Sequence, residues 1–140
     1  MANYYHVRIS RKVPKDDYAH FKDDIQSKKQ GIWDKDAKNK IKIGDYIGFI
    51  VGENGNQMVE IYKVISEHIR ETFWKQNGPY VPGNGTNEVK HRVGIILISI
   101  NKSIEWKKLK KDINFAPNNP SWMPRGMQVV KNKHLLPFEI

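Results

Sequence analysis

Trp33, Phe73, Trp74 and Trp122 are the side chains of this 140-residue sequence best suited to chemistry, and that chemistry is stacking rather than bond-making. Trp33 stands among lysines and aspartates in "SKKQGIWDKD", Phe73 and Trp74 in "ETFWKQNG", and Trp122 in "NNPSWMPRG". A desolvated base gains roughly 1–3 kcal/mol on an aromatic face. Two facing rings make a slot for a base taken out of the helical stack. A methyl group on that base adds apolar burial of about 0.8 kcal/mol. Each ring also has a purely structural reading. Trp33 and Trp74 lie in polar contexts, where a core role requires the chain to fold back. Trp122, between prolines, suits a cap over the core equally well. The fourth tryptophan, Trp106, shares helical spacing with Leu109 and is expected in the core.

Bond-making chemistry finds no support. The sequence has no P-loop, no GxGxxG and no GxSxG, and "GNG" at Gly83 to Gly85 is loop punctuation. No pair among His6, His20, His68, His91 and His134 has the helical spacing of a zinc site. Cysteine is absent, which removes disulfides, thiolate catalysis and cysteine metal ligands together. The carboxylate pairs Asp16-Asp17 and Asp23-Asp24 fall on the solvent face of a helix. The expectation is a binder without metal or cofactor, not an enzyme.

Charge points to the class of partner. Lys and Arg number 24 against 15 Asp and Glu, a formal net charge of +9. That surplus attracts polyanions through long-range fields and counterion release, so RNA or DNA is the first partner to consider. The plainer reading is a basic surface that aids solubility. Arg125 could bind phosphate or pair with the acidic helix; Arg11 and Lys12, after the first strand, join it as candidate phosphate contacts. A membrane partner is not expected, because no basic amphipathic helix of useful length occurs and no run approaches the ~20 apolar residues of a span. The start, "MANYYHVRIS", does not read as a secretory signal. A soluble, intracellular, most simply cytoplasmic monomer is expected.

These residues need elements to position them, and the length suits one domain over residues 1–140. Tyr5, Val7 and Ile9 alternate with His6, Arg8 and Ser10, the period of a half-buried strand. Tyr18, Phe21 and Ile25 recur at helical spacing, with Asp16 and Asp17 at the start, Lys28 and Lys29 at the end and Gly31 as the stop. Two β-rich runs, Asp45 to Val51 and Gln57 to Ile69, flank "GENGN" and predict a hairpin, entered through the turn Lys42 to Asp45. Arg70 to Lys90 reads as a long loop, of the kind that forms binding edges. Arg92 to Ile100 reads as a central strand and "KSIEWKKLKKDI" as a short helix with Trp106, Leu109 and Ile113 on one face. "MQVV" reads as a closing strand and "HLLPFEI" as a tail packed back on the fold. Mostly antiparallel strands with few helices predict an α+β fold whose curved sheet closes into a small barrel.

The order of these segments resembles the EVE-domain family and the related YTH domains over Tyr4 to about Val130. "GIWDKDAKNKIKIGDYIGFIVG" is similar to the family's helix end, Gly-hydrophobic-Trp step, basic linker and "GD" turn. "HRVGIILISI" and "SIEWKKLKKDINFAPNNPSWMPRGMQVV" resemble its strand, short helix, asparagine-rich loop and basic-glycine motif. The resemblance implies a PUA-like fold, a small β-barrel flanked by helices. It implies recognition of a flipped modified base in an aromatic cage, methyladenosine in RNA or modified cytosine in DNA. It makes Trp33 one wall and Phe73 or Trp74 the other, sets Ser10 at the base edge and Arg125 on phosphate. The first strand lacks the family's tryptophan-lysine pair, "NGPYVPGNGTNE" is inserted, and the C-terminal helix is shortened to "KNKHLLPFEI". The competing expectation is a module for a small, nucleotide-like ligand or a protein, with the charge incidental.

Overall fold

The computed structural model describes residues 2–9, 15–36, 38–52, 55–68, 92–119 and 126–139. Among these residues six strands build one mixed sheet. They are β1 (Tyr4–Ile9), β2 (Gln30–Asp36), β3 (Tyr46–Val51), β4 (Met58–His68), β5 (Arg92–Glu105) and β6 (Gln128–Val129), in the order β2-β5-β4-β3-β1-β6. Only β1 and β3 run parallel, Tyr4 opposite Tyr46 and Val7 opposite Phe49. The other neighbours are antiparallel. Helix α1 (Lys15–His20) runs straight into a π-helical turn, Phe21–Gln26. A second helix, α2 (Trp106–Asp112), follows β5 directly. The architecture is α+β with a mostly antiparallel sheet, as expected.

Alternation along the strands divides the core into two layers on opposite faces of the sheet. Tyr5, Val7, Ile47, Phe49, Tyr62, Val64, Ile95 and Leu97 meet Phe21 and Ile25 of the helical segment. On the other face Tyr4, Ile50, Val59 and Ile61 meet Trp106, Leu109 and Ile113 of α2, with Leu136 and Phe138 of the tail packed against them. The helical stripe Phe21/Ile25, the Trp106 face and the docked tail are as the spacing predicts. So is the hairpin, whose register pairs Val51 with Met58. β1 is expected to be half-buried; instead Tyr4 and His6 are buried as well, because α2 and the tail cover its second face.

Three local expectations are corrected. The first helix is stopped by Lys29, not Gly31: Lys29 takes a left-handed φ of 60° and its carbonyl accepts from Ser99 N. Gly31 lies inside β2, where a Cβ would come within 2.9 Å of Ile25 Cγ1, so its smallness serves close strand–helix packing. The segment carrying Trp33 is an edge strand rather than a loop. β5 runs on through Glu105 past an irregularity near Asn101 (φ 58°), so α2 begins at Trp106.

The sheet does not close by hydrogen bonds: among the described residues its edges β2 and β6 are unpaired. They are nonetheless brought within one side chain of each other. Asn39, just after β2, donates from Nδ2 to Met127 O, just before β6, at 3.2 Å. The sheet therefore curls, and a side-chain stitch stands where a barrel would have a ladder.

Candidate nucleic-acid interface

β2 carries the one predicted site residue that falls among the described residues. Gln30 to Asp36 pairs antiparallel with Ile98 to Arg92, which turns Trp33 toward the α1 face. There the indole is 5% exposed. Phe49 meets it edge-on at 5.2 Å and Phe21 at 6.5 Å, while the His20 imidazole lies nearly parallel, 25° and 6.0 Å away. Trp33 is thus a core residue of the described fold. Ser10, Arg11, Lys12, Phe73, Trp74, Trp122 and Arg125 lie outside the described residues, as does the Arg70 to Lys90 loop.

Two residues that the sequence reading passed over organise the surroundings of Trp33. His20 is 7% exposed, and its two nitrogens face Ile32 O and the Asp24 carboxylate, the latter at 3.0 Å. It ties the helical segment to β2 and fixes the ring stacked on Trp33. Lys35, on the same strand face as Trp33, is equally buried. Its Nζ donates to Ile41 O at 2.7 Å and Asn39 O at 3.2 Å, and lies 3.7 Å from Glu67 Oε1. A buried ammonium is tolerated when paired in this way. It clamps the segment between β2 and β3. The signal for His20 was its place one residue before Phe21 on the apolar stripe. Lys35 gave none, because a lysine at an inward position breaks the alternation.

The turn into β3 completes the frame. Gly44 adopts φ 96° and Asp45 N donates to Lys42 O at 3.0 Å. The buried Asp45 carboxylate accepts from Asn3 N at 2.9 Å and Lys42 N at 3.1 Å, tying the start of β1 to the turn. Deeper on the α1 face, Gln26 Nε2 donates to Glu60 Oε2. Burial, and then the neighbouring Glu60 charge, raise the Tyr62 phenol above its ordinary range.

The α2 face holds a different polar feature. His6 lies edge-on to Phe115 at 4.9 Å and to Trp106 at 5.7 Å. Among the described residues neither ring nitrogen has a hydrogen-bond partner, nor does the buried Tyr4 hydroxyl. Burial lowers the His6 pKa to about 4 and raises that of Tyr4. An open groove lined by Ala2, Lys133, Leu136 and Phe138 also lies on this side, away from Trp33. Among the described residues no cluster of three or more acidic, histidine or cysteine side chains could hold a metal ion. No described helix is long and apolar enough to cross a membrane.

No protein-family model and no curated protein matches the chain. Two solved structures are similar to it in fold. One is a hypothetical protein from Leishmania major, with a TM-score of 0.55, 12% identity, and coverage of 96% of this chain and 90% of that one. The other is human THYN1, in a crystal structure of its complex with 5-methylcytosine-containing DNA. Its TM-score is 0.50 at 12% identity, over 93% of this chain and 91% of that one. At that identity the likeness is one of fold, and it spans nearly the whole length of all three chains.

Proposed function

We propose that this protein is a nucleic-acid-binding module, not an enzyme, that reads a single modified base turned out of its strand. The observation that carries the reading is the whole-chain likeness in fold to a protein crystallised on methylated DNA, in a molecule of net charge +9. The buried Trp33 modifies the expected cage. With His20 stacked on the buried indole, Trp33 is the floor of the base site in this reading. The facing wall and the phosphate contacts fall to Phe73 or Trp74, Trp122, Ser10, Arg125, Arg11 and Lys12 in this reading.

Titration of matched oligonucleotides, DNA and RNA, with and without 5-methylcytosine or methyladenosine, tests it at two salt concentrations. One modified form should bind at least tenfold tighter than its unmodified match, with every affinity falling as salt rises. Trp33→Phe should keep the fold and narrow that preference, whereas Trp33→Ala empties a core position and should lose about 3–5 kcal/mol of stability. Equal, salt-insensitive binding of all forms would refute the reading.

A further inference from the structure

The two layers carry their lysines in different company. In residues 15–29, the segment of the Trp33 face, the sequence sets Lys15, Lys22, Lys28 and Lys29 against Asp16, Asp17, Asp23 and Asp24. On the other face α2 carries Lys107, Lys108, Lys110 and Lys111 against Asp112 alone, and the turn after β6 adds Lys131. Two of these cations are committed: Lys108 pairs with Asp112 at 2.6 Å and Lys110 Nζ donates to Asn119 O at 2.9 Å. Lys107, Lys111 and Lys131 are exposed, and among the described residues none of them has an ion-pair or hydrogen-bond partner. They also stand together. Trp106 and Leu109 seat α2 on the sheet, which leaves Lys107 and Lys111, four residues apart, on one solvent-facing side. The helical rise between them is about 6 Å. Lys131 follows Val130, buried in the same layer, and Asn132 Nδ2 donates to Ile113 O at 3.1 Å, which brings that turn to the C-terminal end of α2. The carbonyls of Lys110 and Lys111 there already accept from Phe115 N and Asn114 N. A basic run is ordinarily a solvated face. Here the unbalanced charge gathers on one side of the sheet and is mounted on packed elements.

We propose that Lys107, Lys111 and Lys131 form a second nucleic-acid contact, blind to sequence, that grips phosphates on the face of the sheet opposite Trp33. The inference rests on the nucleic-acid reading above and adds that base reading and backbone affinity are divided between the two faces. A lysine ammonium is a point charge that meets a phosphate without reading a base. Each phosphate so neutralised releases counterions, which makes the contact salt-sensitive. Because the sheet separates the two layers, a phosphate held at α2 does not belong to the nucleotide whose base sits at Trp33. It belongs to flanking backbone or to a second segment. The α2 contact therefore adds equally to the affinity for modified and unmodified forms.

Triple variants of the full chain decide the matter. Lys107, Lys111 and Lys131→Gln empties the contact, and the same three positions →Arg keep its charge. Lys22, Lys28 and Lys29→Gln removes equal charge from the α1 side. Binding of a 5-methylcytosine-containing duplex and its unmodified match is measured over a salt series, with melting curves for all four proteins. The α2 glutamine variant should melt like the unaltered chain. Its slope of log affinity against log salt should shrink by about two to three, at ~0.9 per lost phosphate contact. The loss should be the same for both duplexes, so that the ratio of their affinities is unchanged. The arginine variant should keep the full slope, and the α1 variant should lose less than one. Equal losses in both glutamine variants, a loss confined to the α1 variant, or a changed affinity ratio in the α2 variant overturns the second contact and leaves the nucleic-acid reading standing. An unaltered chain with no salt-dependent binding overturns both.

Discussion

His6 shows what one side chain contributes when its surroundings deny it partners. Both imidazole nitrogens are buried without a hydrogen bond among the described residues, and burial holds the group neutral down to about pH 4. The folded state thus refuses a proton that the unfolded chain accepts near pH 6.5. Above that pH both states are neutral and His6 adds no pH dependence. Between pH 6.5 and 4 the unfolded state binds more protons, so stability falls as pH falls, by about 3 kcal/mol across the window. His6→Phe should flatten that part of the profile. Urea unfolding at pH 7, 5.5 and 4.5 measures it, and the comparison of slopes is insensitive to any repacking of the larger ring. An unchanged slope would mean that His6 is protonated in the fold. In the sequence His6 reads as a solvent-facing residue of an alternating strand. What hides its burial is that α2, a hundred residues away in the chain, covers the second face. Trp33 misleads in the opposite direction: its polar neighbours suggest an exposed ring, yet they belong to an edge strand whose inward side carries both the indole and the paired Lys35.

Among the elements, the parallel pair β1–β3 is held by a contact that depends on a missing side chain. His6 stands opposite Gly48, and Tyr4 reaches across so that its hydroxyl occupies the space above Gly48. A Cβ there would lie 1.9 Å from Tyr4 Oη and 2.7 Å from Val59 Cγ1. Gly48→Ala must therefore displace the Tyr4 ring, the Val59 side chain or the strand itself, and overpacking of this kind destabilises by about 1–3 kcal/mol. Tyr4→Phe alone removes a buried hydroxyl without a partner and should be neutral or stabilising. Combined with Gly48→Ala it should recover part of the loss, since the phenyl ring still approaches. Chemical denaturation of the single and double variants checks both statements; a fully additive pair would show that Tyr4 is not what the new methyl meets. Element by element, the hairpin, the α1 stripe and the α2 face were legible because each has an unbroken period and a clear punctuating turn. β2 was not, because Lys35 interrupts its alternation and Gly31 resembles a helix stop. The Lys42 to Asp45 turn was legible from its glycine, whereas the anchoring of Asp45 to Asn3 joins residues 42 positions apart and leaves no local trace.

At the scale of the whole molecule, two cores share one sheet, and this sets how the protein unfolds. Every strand from β1 to β5 carries buried residues, and β1, β3 and β4 carry them into both layers. Losing the α1 layer exposes the underside of strands that also support α2, so neither layer has an independent floor. The Asn39–Met127 stitch and the Lys133 contacts to Ala2 O and Asn3 Oδ1 join segments far apart in the chain. The described fold should melt as one unit although its helices never touch through the sheet. Phe21→Leu in the first layer and Leu109→Ala in the second each remove buried apolar volume, about 1–2 and 2–5 kcal/mol respectively. For a chain of this size each kcal/mol lowers Tm by roughly 2–4 °C. Each variant should shift the far-ultraviolet and the near-ultraviolet dichroism midpoints together, and amides of β3 and β4 should exchange only through global opening. Leu109→Ala giving two separated transitions, with the α1-side aromatic signal unmoved, would show two cores that merely adjoin. In that case the surroundings of Trp33 could loosen without cost to the α2 face. A single shifted transition instead ties the rigidity of Trp33, His20 and Lys35 to packing on the opposite side of the sheet, so that a substitution beneath α2 loosens the α1 face by way of the whole fold.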